Sequence, residues 1–116
     1  MRRGEVYFAD LEPVRGSEAN KRRPVVIVSR EAMNLSVTQL GEGVVTIVPL
    51  TSNVSRVLDF QVFLPALATG LPLDSKAQAE QVRALDASRL AAAPMGKLPT
   101  NLMNALDDAL RLHLAL

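Results

Sequence analysis

Pro24-Val25-Val26-Ile27-Val28-Ser29 is a near-continuous β-branched run, shorter than an ordinary helix and apolar through its interior. Such a run reads as a strand covered on both faces. Its proline stands at the first position, where a missing N–H is tolerated. Val44-Val45-Thr46-Ile47-Val48-Pro49-Leu50 repeats the pattern, and Gly41-Glu42-Gly43 turns the chain into it. Two buried strands of this kind put a sheet at the centre of the fold.

Working outward, Glu5–Leu11 carries Val6, Tyr7 and Phe8 and predicts another strand, ended by Glu12-Pro13. Arg30–Gln39 is weakly helical, with Asn34 and Ser36 as breakers, and predicts a helical turn and loop. Thr51-Ser52-Asn53 leaves the second buried strand. Phe60–Leu64 alternates and stops at Pro65, so it reads as a strand, and Thr69-Gly70-Leu71-Pro72 as a turn. Ser75–Val82 predicts a final strand bearing Gln78 and Glu80. Asp86–Leu90 predicts one helical turn capped by Asp86. Pro99-Thr100 opens a helix to the C-terminus, with Thr100 as N-cap and Leu102, Leu106, Leu110 and Leu114 as an apolar stripe beside Met103. Short strands followed by one helix predict a β-rich α+β fold, a small, partly open antiparallel barrel with a C-terminal helix. At 116 residues the chain predicts a single domain, 1–116.

Composition narrows the function. Hydrophobic residues make up 48% and charged residues 22%, a globular profile. Thirteen basic against twelve acidic residues leave a formal charge of only +1, so bulk charge does not announce a nucleic-acid binder. With no cysteine and one histidine, His113, disulfides, thiolate metal sites and histidine pairs are ruled out. His113 flanks the helix C-terminus, where it suits the helix dipole better than catalysis. No cofactor is expected. Met1-Arg2-Arg3-Gly4-Glu5 lacks the apolar run of a signal peptide, and no segment suits a bilayer span. A cytoplasmic protein is the expectation.

The chemistry concentrates between the first two strands, in Gly16-Ser17-Glu18-Ala19-Asn20-Lys21-Arg22-Arg23-Pro24. A charge run is most often a solvated hairpin tip. Arg23, however, directly precedes Pro24, which restrains its backbone toward the extended region. A guanidinium also matches phosphate in two hydrogen bonds. Glu18 reads either as an ion-pair partner of these cations or as a group that orients Arg23 or handles a proton. Thr51 and Ser52 read either as ordinary turn residues or, if the barrel aligns the two buried strands, as hydroxyl donors beside Arg23. Gln81 is a candidate contact for a base edge or for the loop.

Three motifs then resemble one family. Arg3-Gly4-Glu5-Val6-Tyr7, Asp10-Leu11-x-Pro13, Gly16-Ser17-Glu18 and Arg23-Pro24-Val25 are similar to the N-terminal signature of the MazF/PemK (Kid) toxins. Pro49-Leu50-Thr51-Ser52 resembles their second motif, and Glu80-Gln81-Val82-Arg83-Ala84-Leu85-Asp86 with Arg89-Leu90 their third. Glu80 stands where relatives often have aspartate. The resemblance implies an SH3-like barrel, a homodimer and the toxin of a bacterial toxin–antitoxin pair. It implies a sequence-specific endoribonuclease that cuts single-stranded RNA without metal, leaving a 2′,3′-cyclic phosphate and a 5′-hydroxyl. The catalytic arginine and threonine fall on Arg23 and Thr51, with Glu18 as the acidic position beside them. Ser17, Asn20, Lys21, Arg22, Ser52, Arg56 and Gln81 are the candidate RNA contacts. The implied partner is an antitoxin whose acidic, disordered C-terminal tail lies across the RNA groove.

This chemistry is self-consistent. Attack by a ribose 2′-hydroxyl loads charge on the phosphorus oxygens, which a fixed guanidinium and a hydroxyl would stabilise. Arginine is a poor base, so Glu18 is the only nearby carboxylate to nominate for the 2′-hydroxyl proton. Two rivals share the fold: a gyrase-poisoning toxin of the CcdB type, which binds without catalysis, and an inactive RNA-binding module. The pairing of Arg23 with Thr51 separates the nuclease from the gyrase binder. An apolar share of 48% with only 3% aromatics also suggests more apolar surface than one small core buries, as a homodimer would need.

Overall fold

The structure, a computed structural model, describes all residues 1–116. Seven strands and three helices follow in the order β1 (Glu5–Asp10), β2 (Arg22–Ile27), α1 (Glu31–Leu40), β3 (Val44–Thr51), β4 (Gln61–Leu64), α2 (Ala66–Thr69), β5 (Ser75–Gln78), β6 (Arg83–Asp86), β7 (Gly96–Lys97) and α3 (Thr100–Leu114). All strand pairs are antiparallel, and the path across the sheet runs β4-β5-β3-β2-β1-β7. The result is the expected curled, partly open barrel with a C-terminal helix.

The two β-branched runs pair with each other, Val25 opposite Pro49 and Ile27 opposite Ile47. Both faces are buried, as a continuous apolar strand requires. Val26 and Val28 join one core with Val48, Leu50, Leu64 and the α3 residues Met103 and Leu106. Val25 and Ile27 join a second with Val37 of α1, Ile47 and Leu85. The alternation is the two-residue period of a strand. On its other edge β3 is shared: Val44–Ile47 pair with β6, and Leu50 and Thr51 pair with β5. That change of partner curls the sheet.

Arg3 ties the first strand to the last helix. Its Nη2 lies 2.6 Å from Asp107 Oδ1, and its Nε donates to Val28 O at 2.9 Å. Glu31 accepts from the Arg3 N–H and from Asn34, and these bonds hold its carboxyl below the usual range.

Four expectations are corrected. Arg30–Gln39 is not a turn and loop: Glu31–Leu40 is a full helix of 10 residues. Asn34, a breaker by propensity, is completely buried there, and its carboxamide bonds both the hydroxyl and the carbonyl of Ser29. Ser36 faces solvent, and Gly41 closes the helix in the left-handed region at φ 73°. Ser75–Val82 is not one strand: β5 stops at Gln78, a 3-10 turn covers Ala79–Gln81, and β6 starts afresh on the other half of β3. Thr100 does not cap α3; Pro99 holds that position with no side-chain bond, and its carbonyl accepts from Leu102 and Met103. The leucine stripe also rotates out of the core. Buried α3 positions are Met103, Leu106 and Ala109, while Leu114 is exposed, because a four-residue step overshoots a helical turn by about 40° each time.

Other expectations hold. Asp86 Oδ1 accepts from Ser88 N–H at 2.9 Å and caps the 3-10 turn Ala87–Arg89. The strand expected at Phe60–Leu64 begins at Gln61, and the short α2 precedes the expected turn at Gly70. The two-residue strand β7 had no signal in the sequence.

Candidate active site

The groove begins where β2 and β3 separate. Their last bridged pair on this side is Val25 with Pro49, and continuing the register by two residues sets Arg23 opposite Thr51. Directly opposed residues project from the same face of a sheet, so both side chains reach one side. The expected meeting of the two strand ends is therefore present.

Arg23 is half-buried and held by three bonds. Its Nε donates to Asn20 O at 2.7 Å, its Nη2 to Asn20 Oδ1 at 3.4 Å and its Nη1 to Leu50 O at 3.4 Å. These fix the plane of the guanidinium, since the fork is rigid. Thr51 Oγ1 accepts from the Asn53 N–H at 3.2 Å. That bond uses a lone pair and leaves the hydroxyl proton free to donate.

A cavity of about 330 Å³ lies beside this pair. Arg22, Arg23, Thr51 and Ser52 supply its polar wall, and Phe8, Leu73 and Met95 supply apolar surface. The Arg22 guanidinium stands 5.9 Å from the centre of the Phe8 ring, within cation–π reach. The three ion pairs of the protein are Arg2–Glu31, Arg3–Asp107 and Arg111–Asp108. Lys21, Arg22, Arg23 and Arg56 take part in none of them. A chain of formal charge +1 thus keeps four cations of this region outside any ion pair.

The basic triplet is not a hairpin tip. Arg22 and Arg23 lie inside β2, opposite Asp10 and Ala9. Lys21 sits just before it in the left-handed region at φ 67°, its N–H donating to Glu12 Oε1 at 2.9 Å. Of the three nominated catalytic residues, Glu18 alone does not line the cavity, and of the nominated contacts only Arg22 and Ser52 do. Glu18 Oε1 accepts from the Arg15 N–H at 2.6 Å, closing a local turn, and it pairs with none of the cations. Gln81 follows the second of its two alternatives: its Oε1 accepts from Ala19 N–H at 3.0 Å and its Nε2 donates to Ser17 O at 3.1 Å. Arg56 is exposed on the 52–60 segment, where its carbonyl accepts from Lys76 Nζ at 2.6 Å. Phe8 and Met95 were not singled out from the sequence; the Phe8–Pro24 pairing across β1 and β2 would have pointed to the first. Nowhere do three or more His, Cys, Asp or Glu side chains gather as a metal site would need.

A small curled antiparallel barrel closed by a C-terminal helix is the fold of a class of bacterial toxin. The family described as PemK-like, MazF-like toxin of type II toxin–antitoxin systems matches residues 2–114, and the chain belongs to it. The endoribonuclease MazF9 of Mycobacterium tuberculosis is 52% identical over 116 residues, covering 100% of this chain and 98% of the relative. The endoribonuclease EndoA of Bacillus subtilis is 34% identical, covering 100% and 96%. Among solved structures, a mycobacterial endoribonuclease in complex with its cognate antitoxin superposes with a TM-score of 0.77 at 26% identity, covering 100% of this chain and 96% of that one. A MazF of Deinococcus radiodurans gives 0.82 at 23% identity, covering 100% and 97%, a likeness of fold. No helix is long and apolar enough to cross a membrane.

Proposed function

We propose that this chain is the toxin of a toxin–antitoxin pair and an endoribonuclease that cuts single-stranded RNA at a specific sequence in the cytoplasm, blocking translation and growth. The observation that carries the proposal is the Arg23 guanidinium, oriented by Asn20 and Leu50 and set opposite the free hydroxyl proton of Thr51. In the proposed reaction the 2′-hydroxyl gives its proton to water as its oxygen attacks phosphorus, the bond from phosphorus to the 5′-oxygen breaks, and that oxygen takes a proton from water. The products are a 2′,3′-cyclic phosphate and a 5′-hydroxyl. Arg23 and Thr51 stabilise the charge that builds on the non-bridging oxygens, a task that rigid donors perform without reorganising. No step uses a metal ion. Glu18 is left out as the base because it does not line the cavity beside Arg23 and Thr51 and instead closes the Arg15 turn.

Ser17, Asn20, Lys21, Arg22, Ser52 and Arg56 are the proposed RNA contacts, mainly to the phosphate backbone. Phe8 offers an aromatic face for a splayed base, the usual way of holding single strands. The non-catalytic, gyrase-binding alternative has no use for the arginine–threonine pair.

The proposal extends to assembly. Leu112 in the last turn of α3 and Leu116 just beyond it are 56% and 86% exposed, and Phe63 leaves further apolar surface exposed on β4. Covering this surface with a second copy makes the protein a homodimer. An antitoxin inhibits by laying an acidic, disordered tail on the cations of the groove, for carboxylates satisfy them as phosphates do.

The deciding experiment incubates the purified protein with a long RNA in EDTA, then with the same RNA carrying deoxyribose at the mapped cut site. Cleavage persists in EDTA and vanishes at the deoxyribose. Cleavage of the deoxy-substituted site would overturn the proposed chemistry.

A further inference from the structure

The segment after β5 has no obvious duty toward RNA, yet three of its side chains bond the main chain of the long β1–β2 loop. Gln81 takes Ala19 N–H and Ser17 O, Arg83 Nη1 donates to Leu11 O at 3.5 Å, and Arg89 Nη1 donates to Glu12 O. The loop runs from the end of β1 at Asp10 to the start of β2 at Arg22, and no residue between them belongs to a strand. Its peptide groups need partners from elsewhere. The Gln81 carboxamide offers one acceptor and one donor side by side, the pair that a neighbouring strand would have presented.

We infer that Gln81 is a positioning residue for Arg23, acting through the loop. The path is short. Gln81 fixes Ala19, the next residue is Asn20, and Asn20 supplies two of the three acceptors that orient the Arg23 guanidinium. Gln81 itself does not line the groove. Its loss therefore leaves the cations that attract RNA in place and blurs the guanidinium that must match the transition state. A displacement of this kind lowers the rate at saturating RNA and spares KM. Arg83 and Arg89 pin the loop at its far end, next to β1, so the brace spans the loop rather than a single turn.

This inference rests on Arg23 being catalytic, and the test separates the two ideas. Gln81→Met keeps the length of the side chain and removes both bonds. It is expected to lower the saturating cleavage rate about tenfold, equivalent to about 1.4 kcal/mol, with KM within about twofold of wild type. Gln81→Glu keeps the acceptor for Ala19 and, once protonated, regains a donor for Ser17 O. Its rate relative to wild type is expected to recover as pH falls through the carboxyl range, which a general loss of structure does not do. In an Arg23→Lys background Gln81→Met is expected to have no further effect, since an ammonium does not use the fork that Asn20 orients. A folded Gln81→Met protein with the wild-type rate overturns the inference. So does the same tenfold loss in the Arg23→Lys background, because the residue would then act independently of the arginine. A wild-type rate in Arg23→Lys alone instead refutes the catalytic assignment of Arg23.

Discussion

Replacing Arg23 by alanine tests whether this residue serves catalysis or merely braces the barrel. The side chain makes one short bond, 2.7 Å to Asn20 O, and two long ones of 3.4 Å. At about 0.5–1.5 kcal/mol net for each, with the long bonds near the lower end, the stability cost is about 1–3 kcal/mol. A domain of this size has about 5–15 kcal/mol in hand, so even the least favourable combination leaves more than about nine-tenths of the molecules folded at 25 °C. The melting temperature should fall by about 5–15 °C. Removing a preorganised donor from a developing oxyanion costs about two to three orders of magnitude in rate, and three bonds preorganise Arg23. Catalysis should thus collapse under conditions where the fold does not. The assay pairs a thermal melt with single-turnover cleavage of a labelled RNA at 25 °C. Cleavage by a folded Arg23→Ala protein within tenfold of wild type would refute the reasoning.

Thr51→Val keeps shape but removes the hydroxyl, and should slow cleavage by about two to three orders of magnitude in the same assay. Glu18→Gln should leave the saturating rate within about threefold of wild type, since its carboxylate serves the Arg15 turn; a loss above a hundredfold would restore it as the base. Leu112→Glu should shift the mass measured by light scattering from dimer toward monomer at micromolar concentration, and an unchanged mass would move the interface elsewhere. An acidic peptide should compete with RNA, and both affinities should weaken as salt rises; a ternary complex would place inhibition away from the groove. Glu31 has a folded pKa below its unfolded one, so its contribution exists above the unfolded pKa and is lost as pH falls through the folded one. Glu31→Gln should therefore melt lower than wild type near neutrality and converge with it in acid.

The legible parts of the fold are those in which local pattern and tertiary burial agree. Val25–Val28 read as a strand buried on both faces, and its residues do divide between two cores. The approach of Arg23 to Thr51 was likewise accessible, because antiparallel pairing of two such runs brings the start of one to the end of the other. What escaped depends on distant partners. Asn34 weakens a helix by propensity, and only the buried Ser29 bonds reveal why a helix forms there. The break after Gln78 arises because β3 gives half its edge to β5 and half to β6, which no window around residue 78 contains. At the site, contact of Gln81 with the loop was one of two alternatives open in the sequence, and only its bond to Ala19, 62 residues earlier, decides between them.

The dependence of the core on α3 bears on how a cell makes a poison safely. Met103, Leu106 and Ala109 fill the core under β2, β3 and β4, and Asp107 receives Arg3 from the opposite end of the chain. Residues 91–98 also bond along β1, from Phe8 O back to Gly4 O. Arg22, Arg23, Thr51 and Ser52 are all synthesised before this support exists. A chain grows from its N-terminus at about 5–20 residues per second, so Ser52 precedes α3 by about 2–10 s. Until then the sheet lacks its cover and the guanidinium of Arg23 lacks a rigid frame. The order of synthesis thus makes the groove's residues early and its working geometry late.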